Sequence, residues 1–223
     1  MNAEIRTMRT QAELALLDAF ANHKDRLVGA RDERVAAFKK FEEAGLPHRR
    51  VEEWKYTDLR ALMRDAKPLA AKPDAAAIAA AREAGRIAGV DARRIVLVNG
   101  TFVPELADTA ALERGLTITS LAEALVAPGN ALAGLGRTVQ TNDVVVALNT
   151  AFMADGVVIR VAKDAAIERP IHIVHVFSGR EAAATFTRSL VVVEPGAKLT
   201  LIESHEGAPD VDYQVNTALE LVV

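Results

Sequence analysis

Apolar positions along this chain follow two spacings, and the spacing changes near residue 95. Before that point they recur every three or four residues. Leu14, Leu17 and Ala21 mark one helical face and Val35, Phe38 and Phe41 or Glu42 another, which predicts helices over 9–44. His23-Lys24-Asp25 predicts a break between two helices, and Gly45 with Pro47 ends the second. Residues 51–64 read as helical again in two pieces, with Thr57 as the cap and Leu59, Leu62 and Met63 buried. Residues 65–73, with two prolines, read as a linker, and Asp74 caps an alanine-rich helix running to about Gly85.

From residue 95 the apolar runs are short and rich in β-branched residues. Ile95–Val98, Asn99-Gly100 and Thr101–Val103 predict a hairpin, because Asn-Gly supplies the positive φ angles of a two-residue turn. Leu116–Ile118 predicts a strand, and Ser120 with Glu123 a capping box that opens a short helix. Residues 128–137 read as a loop. Val144, Leu148, Ala151 and Phe152 keep helical spacing, which predicts a helix over 143–152.

Strands are then predicted at 157–161, 170–177, 184–194, 198–205 and 213–223. The segments between them are too short for crossover helices. The options are an antiparallel sandwich, a jelly roll or a stacked β-solenoid. Asn149-Thr150-Ala151 recurs as Asn216-Thr217-Ala218, too little to define a repeat. The chain divides into a helical segment with its linker (1–94), a mixed segment (95–154) and a strand-rich segment (155–223). Leu219–Val223 ends inside an apolar strand. A bare apolar edge templates aggregation, so the reading expects a fragment or a sheet continued in another chain.

Charge follows the same division. Residues 1–94 carry a balance of +4 and residues 95–223 a balance of −7, within a net charge of −3 for 223 residues. No general attraction to nucleic acid is implied. The N-terminus lacks the apolar core of a signal peptide, and no apolar run approaches the roughly 18 residues of a membrane span, so a cytoplasmic protein is expected. There is no cysteine, which excludes disulfides and thiolate chemistry in this chain.

Candidate chemistry is sparse. Glu52-Glu53 is a carboxylate pair, but adjacent helical residues point about 100° apart, and Arg49, Arg50 and Lys55 lie near enough to neutralise them. Trp54, the only tryptophan, and Tyr56 then read as packing or interface anchors. His172 and His175, with Glu181, Glu203 and His205, invite a metal-dependent β-sandwich enzyme of the cupin kind. Residues three apart on a strand face opposite ways, so the two histidines fail that test unless a bulge intervenes. Glu203 and His205 do share a face, and structural roles are favoured for all five. There is no phosphate-binding Gly-rich loop, dinucleotide fingerprint or serine elbow. No residue is assigned a catalytic, cofactor or metal role, and a non-enzymatic scaffold is expected.

Leu46-Pro47 and Arg50-Val51-Glu52-Glu53-Trp54-Lys55-Tyr56-Thr57-Asp58-Leu59 resemble the N-terminal signature of SufD subunits of the SUF iron–sulfur cluster assembly system. In the same order follow Val98–Leu106, Val146–Phe152, Asp155-Gly156, Arg169–His175 and Glu194–Ala197. The paralogous SufB shares the later β region. The Glu-Glu-Trp-Lys-Tyr-Thr element and the helical N-terminus favour SufD.

The resemblance implies a helical N-terminal domain and then a right-handed parallel β-helix, with residues 155–223 as its first rungs. It implies a SufB-like partner bound through late β-helix strands and a SufC-like ATPase bound through a C-terminal domain, both absent from this sequence. It implies a cluster built on the complex, with no cofactor held by this chain alone, and a link to iron acquisition. The family's interface histidine belongs to the later, absent part, so no ligand residue is carried over. His172, His175 and His205 are not its substitutes.

Overall fold

The structure is a computed structural model that describes residues 8–128, 135–136 and 141–223. The loop expected at 128–137 lies almost wholly outside these. Six helices and eight strands are described: α1 (Gln11–His23), α2 (Arg31–Ala44), α3 (Leu59–Leu62), α4 (Ala75–Ala80), α5 (Leu121–Val126) and α6 (Val144–Phe152), with β1 (Arg93–Val98), β2 (Thr101–Phe102), β3 (Leu116–Ser120), β4 (Val157–Val161), β5 (Ile171–Phe177), β6 (Ala183–Val193), β7 (Leu201–Gly207) and β8 (Tyr213–Val222). The fold is therefore mixed α and β, with the helices concentrated at the N-terminus.

The strands form two four-stranded sheets, β2-β1-β5-β7 and β3-β4-β6-β8. Among the described residues, antiparallel strand pairing is confined to β1–β2 and β3–β4. Every other pair is parallel: β1–β5, β5–β7, β4–β6 and β6–β8. From β4 onward each strand pairs with the next but one, because each short connection carries the chain to the opposite sheet instead of reversing it. That excludes the antiparallel sandwich and the jelly roll. Ile95, Leu97, Ile159, Val161, Ile173 and Val191 meet in the core between the two sheets.

The outer face of the second sheet carries the N-terminal helices. Phe20 of α1 stacks on Phe38 of α2 at 3.9 Å, both meet Phe152 of α6 edge-on, and Phe152 packs on Phe186 of β6 at 4.9 Å. α1 is opened by a capping box between Thr10 and Glu13. The faces predicted for α1 and α2 need correction: Leu14 and Val35 are exposed, and the buried stripes are Ala12, Glu13, Leu16, Phe20 and Arg34, Ala37, Phe38, Phe41. A search for apolar residues alone discards Glu13 and Arg34, the polar members that define both stripes.

Two further corrections concern residues 51–85. Glu52–Trp54 is a single 3₁₀ turn, and the short α3 is capped by Asp58, not Thr57. α4 stops at Ala80, well before Gly85. The proline-containing stretch before it lies along β6, with Ala70 N–H donating to Ala184 O and Ala184 N–H to Pro68 O. The hairpin turn is as predicted, with Asn99 at φ 49° and Gly100 at φ 78°.

The tightest joint is Asp155-Gly156, at the entry to β4. The buried Asp155 carboxylate accepts N–H groups from Phe102, Ala122 and Gly156, which ties β2, the start of α5 and β4 together. A Cβ on Gly156 would stand 1.8 Å from the carbonyl oxygen of Arg188 on β6, so only glycine fits. Gly156→Ala should therefore cost about 3 kcal/mol or more, or abolish folding, in chemical denaturation. Gly89→Ala, with no neighbouring atom within 4 Å but φ of +76°, should cost only about 1 kcal/mol.

Candidate functional site

Two regions gather the residues singled out by sequence. The first surrounds Trp54. Its 3₁₀ turn points the indole toward α6, where Nε1–H donates to Asp143 Oδ2 at 3.1 Å. The other oxygen of Asp143 caps α6 by accepting Val145 N–H at 2.7 Å. Half-buried Trp54 lines a groove of about 500 Å³ with Leu16, Leu46, Leu59, Met63 and Leu148. Tyr56 is 93% exposed beneath the Lys55 ammonium. Glu52 pairs with Lys55 and, like Glu53, lies on the exposed surface, so the two carboxylates do not converge.

The second region is the open end of the core between the sheets. His172 and His175 do face opposite ways. His172 is fully buried on the outer face of its sheet, where its Nε2 meets Ser204 Oγ at 2.7 Å. His175 faces inward. It is in register with His205 on β7, and the two rings stack at 4.5 Å with 5° between their planes. Glu203, on the same inward face two residues before His205, brings Oε1 to 3.1 Å from His175 Nε2 and 3.8 Å from His205 Nε2. Glu181 lies in the exposed connection before β6, outside this group. Of the five residues in the sequence motif, the structure brings three together. The pairing of His175 with His205 was not visible in the sequence, since it depends on the register of two parallel strands.

Several buried polar residues that carry no motif chemistry hold the elements around these regions. Arg34 donates to the carbonyls of Val28, Gly29, Ala151 and Met153, and burial pulls its guanidinium down to about 10. Arg188 and Glu220 form a buried ion pair at 2.6 Å across β6 and β8. Asn149 donates to Thr187 O and Asn216 O, each at 2.9 Å. The two Asn-Thr-Ala segments therefore touch, but one is helical and the other a strand, so they are not copies of one repeat. Half-buried Arg169 is tied to Asp91 and Asp108; burial lowers its pKa, but the two carboxylates together outweigh it and the net shift is upward.

Residues 12–173 match the family profile described as the SufBD protein N-terminal region. An iron–sulfur cluster assembly SufBD family protein of Synechocystis sp. is 33% identical over 162 residues. The aligned stretch is 72% of this chain and 35% of the relative, so the chain spans about a third of that relative's length.

Burial lowers the pKa of His172, and burial followed by the charge of His175 lowers that of His205. The hydrogen bond from His175 lowers the pKa of Glu203. Between a depressed folded value and the unfolded value of about 6.5, the unfolded imidazole binds more protons, so stability rises with pH there. The contribution is full above about pH 6.5 and is lost as the pH falls. Glu203 acts in the same direction at lower pH. Asp155, raised chiefly by burial against its three N–H bonds, acts oppositely as pH rises through its folded value. The thermal midpoint should be lower at about pH 5.5 than at about pH 7.5. His172→Gln should flatten that slope, and an unchanged slope would show that His172 is not its source.

Proposed function

The chain belongs to the SufBD family, and on that footing we propose that it is a non-enzymatic scaffold subunit of an iron–sulfur cluster assembly complex. The observation that carries this reading is the in-register parallel stacking of β1-β5-β7 and β4-β6-β8. The alternating strands are the first turns of a right-handed parallel β-helix. A SufB-like paralogue pairs with later strands of that β-helix, and a SufC-like ATPase supplies the nucleotide chemistry. The subunit is of the SufD type, as the Glu-Glu-Trp-Lys-Tyr-Thr element favours, and acts in the cytoplasm.

The motif residues support a structural subunit. Asn99, Asp155, Gly156 and Arg169 all serve turns, strand entries or ion pairs of the fold. With no cysteine among these 223 residues, this segment supplies no thiolate ligand, and the cluster is the complex's cargo. The metal-dependent sandwich enzyme is not favoured, because its sandwich is excluded and His172 faces away from the other ligands. Within the scaffold reading, Trp54 fixes the helical region on α6, and Tyr56 is an exposed aromatic contact for a partner.

The full-length protein, co-expressed with a SufB-like and a SufC-like subunit, should co-purify with both in a stable complex. Association with neither would refute the assignment. Trp54→Ala should lower stability by about 2 kcal/mol in thermal or chemical unfolding, through lost packing and the lost bond to Asp143. It should reduce complex recovery in proportion to that loss. Normal assembly of this variant without cluster formation would instead place Trp54 in the chemistry.

A further inference from the structure

The inward face of the first sheet is aliphatic at its centre and gathers ligand-type side chains toward one end. Its columns across β1, β5 and β7 run Arg93–Ile171–Leu201, then Ile95–Ile173–Glu203, then Leu97–His175–His205. In the last two columns a carboxylate and two imidazoles occupy positions where aliphatic side chains would stack at no electrostatic cost. Both imidazole Nε2 atoms approach the same carboxylate oxygen, and the three candidate ligand atoms lie within 4.8 Å of one another. Among the described residues, the two histidines are the only cationic partners of Glu203. Neither imidazole is a permanent cation, and a bound metal ion would supply a fixed positive charge among these three groups.

We propose that His175, Glu203 and His205 form a binding site for a divalent first-row transition-metal ion. Two imidazole nitrogens and one carboxylate oxygen are a borderline donor set, suited to ions of the zinc type and poorly suited to calcium or magnesium. Tetrahedral bonds of about 2.0–2.1 Å set ligand atoms roughly 3.3 Å apart, and the present separations from Glu203 Oε1, 3.1 and 3.8 Å, bracket that value. For both lone pairs to converge on one ion, His205 must turn out of its stack on His175, and its side chain is 48% exposed on the open side. Side-chain exposure rises from 9% at His175 through 31% at Glu203 to 48% at His205, so the ion enters from the His205 side. Three protein ligands leave a fourth position for water or a further donor. The site rests on its own geometry and does not depend on the scaffold assignment or on any partner.

Zinc(II) titrated into the full-length protein by calorimetry tests the site, with cobalt(II) absorption reporting tetrahedral coordination. Relative to wild type, His205→Ala and the near-isosteric Glu203→Gln should each lose one equivalent of tight uptake, with affinity at that site reduced at least about tenfold. The cobalt band should disappear in both. The paired change His23→Ala/His48→Ala should leave uptake and band intact, and far-UV circular dichroism should match wild type in all variants. Absence of uptake by the wild-type protein would overturn the site. So would uptake that survives Glu203→Gln and His205→Ala, or uptake lost in the His23/His48 variant.

Discussion

The carboxylate of Asp155, bonded to three backbone N–H groups while Gly156 lies against the Arg188 carbonyl, is the constraint on which the rest of the β region depends. It fixes where β4 begins and sets its register on β6. It holds the β1–β2 hairpin, through Phe102, beside the same point. It also satisfies one of the free N–H groups at the start of α5. A buried carboxylate is costly unless its oxygens are bonded, so the three donors and the acid are mutually required. Shifting the register by one residue would place a side chain where only a hydrogen fits.

On the outer side of the second sheet, helix placement is decided by shape and by buried polar staples together. The phenylalanine cluster supplies most of the apolar contact between α1, α2, α6 and β6. Phenylalanines alone allow sliding. Arg34 removes that freedom by binding the carbonyls that end α6, where a cation is also favoured by the helix dipole. Glu13 does the same at the other end of α2 by accepting Leu46 N–H and pairing with Arg60. The Arg188–Glu220 pair lies beneath α6, and removing one partner of such a buried pair typically costs about 3–5 kcal/mol.

The residues singled out in the sequence hold this fold together. Its recurring sequence motifs are used at turns and strand entries. Its regular feature is two parallel strand stacks, β1-β5-β7 and β4-β6-β8, each strand in register with the one before it. That repetition also creates the stacked His175 and His205: identical residue types on neighbouring parallel strands are placed ring over ring by the same pairing that stacks the aliphatic columns.

Local signals determined much of this protein. The hairpin at Asn99-Gly100, the caps at Asp74 and Ser120, the helix over 143–152 and all five later strands were legible, because each depends on residues a few positions apart. The buried faces of α1 and α2 were not, since Glu13 and Arg34 are buried only by virtue of partners supplied by α6 and by residues 28, 29, 46 and 60. Parallel against antiparallel pairing was likewise undecided, because it depends on where a short connection leads and leaves no mark on the alternation within a strand. For the same reason the spacing of His172 and His175 correctly argued against their sharing a face, while the meeting of His175 with Glu203 and His205 came from strand register, a property of the folded chain alone.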